Sequence, residues 1–364
     1  MIFPFFSTEQ WMTDYEGRAR INLADTCMEP CRLDDLTALD PDALKDVVLD
    51  YGSITGEPEL KKQILSLYQS GTEDNITLSH GGLNANQHVF ECLLAKGDRA
   101  VTLTPGYQQF LDLPEVYGAK VQSVELEDTP SGWRLDFDAL EKAMEGAKML
   151  ILNSPCNPTG FTLDEAGLKK CVKIARKQDA WILCDECHRP PHDPDFPSIS
   201  DLYEKGIATG TLSKTVGLAG LRFGWIKADE NLITRINQIR DYTIISTGPL
   251  CDRLALAALR NIDALWAPRL ARVEANQKIV QDWLDQEPLF DCHFSKGCTV
   301  AFLHYHMPVD TRQFCLDLLE KTGILFVPGG CFGHEGYLRL GLGKNQPQLA
   351  ETLKILSDFA RQYV

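Results

Sequence analysis

At 364 residues the chain exceeds what one hydrophobic core serves, so a large domain with a smaller companion is expected. Its 36 Lys and Arg stand against 51 Asp and Glu, a formal charge of −15 spread along the chain, which argues against the basic surface that nucleic acid or an anionic membrane requires. Twelve cysteines in so long a chain make no disulfide scaffold, and no apolar run reaches the ~18 residues of a membrane span.

The apolar stretch Ile2 to Phe6 lacks a basic flank and runs straight into Glu9 and Asp14, so it reads as neither signal nor transit peptide. A reduced, cytoplasmic location is expected. Residues 1–39 show no clear periodicity and are expected to lie against the C-terminal part. From residue 57, helix-like and strand-like stretches alternate. Leu60, Ile64, Leu65 and Tyr68 share one face of a helix predicted over Glu59–Ser70. A second helix runs from Gly82 through Val89, Phe90, Leu93 and Leu94 to the stop at Gly97-Asp98. Short apolar runs follow at Ala100–Leu103, Met149–Leu152, Trp181–Cys184, Ile207–Leu212 and Phe223–Ile226, with amphipathic stretches such as Asp164–Gln178 between them. Strands alternating with helices imply an α/β domain, over residues 40–250, with a mainly parallel central sheet buried on both faces. After residue 250 the rhythm becomes α+β. Helices are predicted over Asp252–Leu259, Trp266–Leu284 and Gln348–Tyr363, and strands over Val300–His304, Ile324–Val327 and Tyr337–Leu340. Residues 251–364, joined by 1–39, form the expected smaller domain.

The chemistry concentrates in Thr211-Leu212-Ser213-Lys214-Thr215-Val216-Gly217-Leu218-Ala219-Gly220-Leu221-Arg222. Here a lysine follows an apolar strand between small hydroxyl residues, with an arginine eight positions on. A lysine that forms a Schiff base must be partly desolvated so that its amine is neutral. Hydroxyls and a guanidinium fork beside it suit a phosphate. Upstream, Asn153-Ser154-Pro155-Cys156-Asn157-Pro158-Thr159-Gly160 follows a buried strand as a tight turn. Trp181-Ile182-Leu183-Cys184-Asp185-Glu186-Cys187-His188 is an apolar strand ending in an acid, which at a parallel strand's carboxyl end faces the ligand crevice.

The lysine segment closely resembles the Schiff-base motif of the class I/II aminotransferases, the fold type I enzymes that depend on pyridoxal 5′-phosphate (PLP). Further signatures occur in the family's order over residues 50–342. The resemblance implies that Lys214 holds the cofactor and, once freed by substrate, carries the proton between Cα and C4′. Thr211, Ser213 and Arg222 would anchor the phosphate with the backbone of Gly82 and Leu83, where Ser79-His80-Gly81-Gly82 turns into a helix. Asp185 would pair with the pyridine nitrogen and make the ring an electron sink. Tyr107, in Thr104-Pro105-Gly106-Tyr107, would stack on the ring face, and Asn157 would bond the phenolic oxygen and approach the substrate carboxylate. Tyr51 would reach the partner's phosphate across a homodimer. Arg339, an arginine in the apolar strand Tyr337-Leu338-Arg339-Leu340, would fork the substrate α-carboxylate, since such a burial is costly without an anion.

One departure stands out. Three residues after the aspartate the family usually has a tyrosine that bonds the phenolic oxygen, and this chain has His188. An imidazole can donate the same bond but ordinarily titrates near neutrality. Asp-Glu-x-His also occurs in the related carbon–sulfur β-lyases.

The first expectation is therefore an aminotransferase working between an amino acid and a 2-oxo acid. The alternatives are a cystathionine-type β-lyase, prompted by His188, and an arginine-processing relative, prompted by the atypical Asn22-Leu23-Ala24-Asp25. A cofactor-binding regulator is disfavoured because Lys214 is intact. No metal is expected. Cys184-x-x-Cys187-His188 has ligand-like spacing, but both cysteines are expected to point away from Asp185. His304 and His306 share a strand face at the surface or in the core.

Overall fold

The computed structural model describes residues 2–345 and 347–364. Its larger sheet has seven strands, in the order Ile76–Ser79, Gly224–Lys227, Gly206–Thr211, Trp181–Asp185, Met149–Asn153, Arg99–Thr104 and Lys120–Glu125. Gly224–Lys227 is antiparallel to both neighbours and every other pairing is parallel, so the expected mainly parallel sheet is present. Burial on both faces explains why the strands Met149–Asn153 and Trp181–Asp185 are apolar up to their last residue. Met149 and Ile151 join Leu183 and Ile207 in the core beneath the helices Gly81–Leu93 and Glu230–Thr243. Leu150 and Leu152 join Ile182 and Cys184 on the other face, against Leu168, Cys171 and Ala175 of the helix Glu165–Lys177. Asp164 caps that helix by accepting from the Gly167 N–H at 2.7 Å.

A second sheet, wholly antiparallel, runs Phe290–Asp291, Val300–Tyr305, Tyr337–Gly341, Val327–Pro328. It packs with the helices Ile262–Leu284, Thr311–Thr322 and Leu349–Ala360 around Phe302, Phe314, Leu338 and Phe359. The N-terminal stretch belongs to this core. Trp11, on the helix Ser7–Tyr15, donates from Nε1 to the Phe326 carbonyl at 2.8 Å, and Ile21–Asn22 pairs in parallel with Ile324–Leu325. Gly341 lets the next residues lie on the sheet. Its N–H donates to the Leu23 carbonyl at 2.6 Å, and a Cβ there would stand 1.9 Å from the Asp25 carbonyl oxygen.

Two predicted elements need correction. The helix expected over Glu59–Ser70 is Pro58–Leu65, because the Asp201 carboxylate accepts the Gln69 and Ser70 N–H groups at 3.0 and 3.1 Å and draws that stretch out of the helix. The strand expected over Ile324–Val327 is two pieces. Ile324–Leu325 pairs with the N-terminal segment, and Val327–Pro328 pairs with Tyr337–Gly341 on the other side. Among the described residues no helix is long and apolar enough to cross a membrane.

Candidate active site

Four neighbouring parallel strands end in Thr104, Asn153, Asp185 and Thr211, so the sheet turns from apolar to polar along one edge. A cavity of about 380 Å³ lies there, with the N-terminal helix and residues 25–27 forming one wall. Lys214, Asp185, Tyr107, Asn157, His188, Thr211, Ser213, Arg222, Gly82, Leu83 and Arg339 all line it. Tyr51 does not. It stands 65% exposed outside the cavity.

Lys214 follows the strand Gly206–Thr211, and its Nζ donates to Thr26 Oγ1 at 2.9 Å, with Cys27 Sγ at 3.7 Å. Burial pushes the Cys27 thiol up, so it stands protonated beside the amine. Behind the lysine, Thr211 Oγ1 lies 2.6 Å from the Phe223 carbonyl and 2.9 Å from Ser213 Oγ, which Arg222 Nη1 approaches at 3.5 Å. Arg222 sits in the left-handed region, at φ 53°, and its guanidinium lies against the first turn of the helix Gly81–Leu93. Gly81, at φ 79°, makes that approach possible, because a Cβ there would stand 2.6 Å from Arg222 Nη2. Helix N–H groups, the Ser213 hydroxyl and a guanidinium thus converge on one end of the cavity, a donor set suited to phosphate, while the Thr211 hydroxyl proton goes to the Phe223 carbonyl and its oxygen braces Ser213.

Asp185 is buried and held on both oxygens. Oδ2 accepts from Asn86 Nδ2 at 2.7 Å, and Oδ1 accepts from the Cys187 N–H at 3.0 Å. Asn86 is oriented in turn by Thr209, whose hydroxyl donates to Asn86 Oδ1 at 2.7 Å. Asn153 donates to the Asp185 carbonyl at 3.0 Å and accepts from the Asn157 N–H at 2.7 Å, fixing the turn in which Ser154-Pro155 and Asn157-Pro158 are both cis. Glu186 turns away from the cavity. Buried, it pairs with Arg189 at 3.1 Å and accepts from Ser198 at 2.9 Å and from the Ile199 N–H at 3.0 Å.

Arg339 is buried, and burial pulls its pKa down. Its hydrogen bonds go to the Ala24 carbonyl at 2.9 Å and Asn157 Oδ1 at 3.4 Å, its Nε has no partner, and no carboxylate lies within ion-pair distance among the described residues. Tyr107 donates to Glu9 Oε1 at 2.7 Å, and burial, then that carboxylate, raise its pKa well above the ordinary phenol value. His188 does not titrate near neutrality as an ordinary imidazole would. Burial, then the nearby Lys214 and Arg339, lower its pKa to about 3. A further correction concerns Cys187. It lines the cavity with Asp185, because the strand has ended by that point, whereas Cys184 does lie in the core below.

Several lining residues were invisible to sequence reasoning: Glu9, Met12 and Glu16 from the N-terminal stretch, Thr26, Cys27 and Asn86. Only Asn86 left a trace, since it lies one helical turn beyond Gly82 on the same face. Asp291, His304 and His306 are the one group among the described residues placed to hold a metal, and none of them lines the cavity.

The residues fit PLP. Phosphate donors stand at one end, a carboxylate held by Asn86 is available for a ring nitrogen, and a lysine amine opens on the same cavity. A family model described as "Aminotransferase class I and II" matches residues 35–356. Capreomycidine synthase of Streptomyces vinaceus is 29% identical over 98% of this chain and 93% of its own length. The crystal structure of a PLP-dependent aminotransferase from Streptococcus suis 89-1591 superposes with a TM-score of 0.94 at 34% identity, covering 100% of this chain and 99% of that one. That of the PLP-dependent cyclase OrfR, in complex with Au, superposes at 0.91 and 27% identity, covering 100% and 99%.

Proposed function

The chain belongs to the class I and II aminotransferases, PLP-dependent enzymes of fold type I, and from that premise we propose that it transfers an amino group between an amino acid and a 2-oxo acid. One observation carries the proposal. Arg339 is a buried guanidinium with no carboxylate of its own, in the same cavity as the Lys214 amine, which suits an α-amino acid held by its carboxylate.

PLP, when bound, supplies a carbonyl that takes up an amino group and a ring that draws electrons from the adjacent carbon. Ser213, braced by Thr211, would hold its phosphate with Arg222 and the first-turn N–H groups at Gly82 and Leu83. Asp185, kept in place by Asn86, would keep the ring nitrogen protonated, and Tyr107 would stack on the ring. Arg339 and Asn157 orient the substrate carboxylate. Lys214 takes the proton from the substrate Cα and returns it on the cofactor side. Thr26 receives the lysine's hydrogen bond while the amine is idle. The N-terminal helix lines the substrate side with Glu9 and Met12.

The working form in this proposal is a cytoplasmic homodimer. Val48, Leu49 and Tyr51 are 68, 80 and 65% exposed on one loop, an apolar surface that a second subunit would cover while Tyr51 reaches its phosphate.

A second reading, elimination or ring closure on a cationic amino acid such as arginine, is favoured by the carboxylates of Glu9, Glu16 and Asp25, which line the cavity. It is favoured also by the likeness to capreomycidine synthase and the cyclase. Omitting the oxo-acid acceptor separates the readings. Transfer stops after one equivalent of amino acid per site. Sustained release of pyruvate and ammonia from cysteine or cystathionine, or sustained consumption of arginine, would overturn it.

A further inference from the structure

The cavity's imidazole is fixed from behind. His188 Nδ1 lies 3.0 Å from Thr299 Oγ1, and Thr299 Oγ1 lies 2.6 Å from the main-chain oxygen of Thr26. A carbonyl oxygen only accepts, so the single hydroxyl proton of Thr299 is committed to Thr26. Towards the ring, Thr299 is left with lone pairs, and the proton in the 3.0 Å contact belongs to His188 Nδ1.

The charged groups acting on the ring are Lys214 and Arg339, both cationic, and no carboxylate bonds it. Doubly protonated imidazole is therefore disfavoured by its surroundings as well as by burial. His188 Nε2 has no partner among the described residues, and the residue lines the cavity. A neutral ring protonated on Nδ1 carries a bare lone pair on Nε2.

We infer that His188 is an obligate hydrogen-bond acceptor in the cavity, and that Thr299 is the positioning residue that makes it one. Any group that meets Nε2 must bring the proton. This reverses the expectation that the imidazole would donate as the family's tyrosine does. The identity of the group it meets rests on the proposed function: in that reading it is the ring oxygen of PLP, which this chain would hold in its protonated form.

The lock is assembled from three distant stretches. Thr299 immediately precedes the strand Val300–Tyr305 of the smaller sheet, Thr26 belongs to the N-terminal segment, and His188 follows the central strand Trp181–Asp185. All three residues are buried. Nothing around His188 alone sets its tautomer.

The test uses cofactor-free protein carrying 15N-histidine, with the His188 ring signals assigned by their loss in His188→Gln. The expected spectrum has a proton-bearing Nδ1 and a lone-pair Nε2, unchanged between about pH 5.5 and 8, the window in which an ordinary imidazole titrates. Thr299→Ser keeps that pattern, whereas Thr299→Val, which cannot accept, moves the proton to Nε2. An Nε2–H ring in the wild type, a titration within that window, or a Thr299→Val protein that keeps the proton on Nδ1 each overturns the inference. Loading with PLP then tests the partner. The wild type should show more of the absorbance band of the protonated ring oxygen than Thr299→Val does. Identical absorbance in the two proteins, with the tautomer confirmed, leaves the acceptor in place and refutes PLP's ring oxygen as its partner.

Discussion

Replacing Arg339 by methionine separates a residue kept for ligand from one kept for the fold. Two effects of similar size oppose each other in the folded protein. Removing a buried cation that is ion-paired with no carboxylate relieves desolvation, a gain of about 1–4 kcal/mol where buried charges have been exchanged for well-packed apolar groups. Against it, the Ala24 carbonyl loses its 2.9 Å donor, which costs about 1–3 kcal/mol for a buried acceptor left unmatched. Stability should therefore stay within about 2 kcal/mol of wild type, measured by urea unfolding of the cofactor-free protein. An internal ion pair broken at the same place would cost about 3–5 kcal/mol. Binding should behave quite differently. Losing a buried, charge-assisted carboxylate fork costs about 2–5 kcal/mol, which at about 1.4 kcal/mol per decade raises the KM for the amino acid by roughly 30-fold or more. A variant that loses more than about 3 kcal/mol of stability yet binds amino acids normally would make Arg339 structural and refute the argument.

Lys214→Ala should leave a folded protein that retains PLP noncovalently but has no measurable turnover, and near-native activity without an added amine would remove the lysine from its role. Asp185→Asn should lower kcat steeply while cofactor affinity, read by equilibrium dialysis, weakens less, because the phosphate donors are untouched; equal kcat values would exclude the ring-nitrogen assignment. With His188 held at about 3 against an ordinary value of about 6.5, linkage fades as pH rises above 6.5 and the ring becomes neutral folded or unfolded. Below that, the unfolded chain binds a proton the folded protein refuses, so stability falls by about 1.4 kcal/mol per pH unit down to about pH 3. At pH 5 the wild type should have lost about 2 kcal/mol more than His188→Gln does over the same interval, and parallel urea curves for the two would contradict it. Sedimentation at assay concentration should find a homodimer, and a fully active monomer would rule out the shared site.

The strands were legible because a sheet buried on both faces leaves runs such as Met149 to Leu152 with no polar position to confuse them. Lys214, Asp185 and Arg339 were legible for the opposite reason: each places charge at the edge or middle of such a run. Glu9, Thr26 and Thr299 gave no such signal. They are ordinary polar residues that gain meaning only from partners distant in the chain, over separations of 98 residues for Glu9 and Tyr107 and 273 for Thr299 and Thr26. The helix Gln109–Val116 was hidden by Pro114 inside it, and Glu230–Thr243 by the sparseness of its buried positions, Leu232, Ile233 and Ile236 among charged neighbours. The imidazole's state was illegible in principle, since it is set by burial and by two cations from other parts of the chain.

The pairing of Ile21–Asn22 with Ile324–Leu325 bears on how the protein is made. A ribosome releases the first stretch about 300 residues before its partner strand exists, which at 5–20 residues per second is an interval of roughly 15 to 60 s. Throughout that time the apolar side of the helix Ser7–Tyr15, Trp11 included, has nowhere native to dock. The large sheet can fold behind it, but the wall of the cavity that carries Glu9, Thr26 and Cys27 comes last. A nascent chain arrested near residue 260 should therefore contain the lysine and most of the phosphate cradle yet present them in an open trough, and chaperones that hold exposed apolar segments would find their target in the stretch around the helix Ser7–Tyr15.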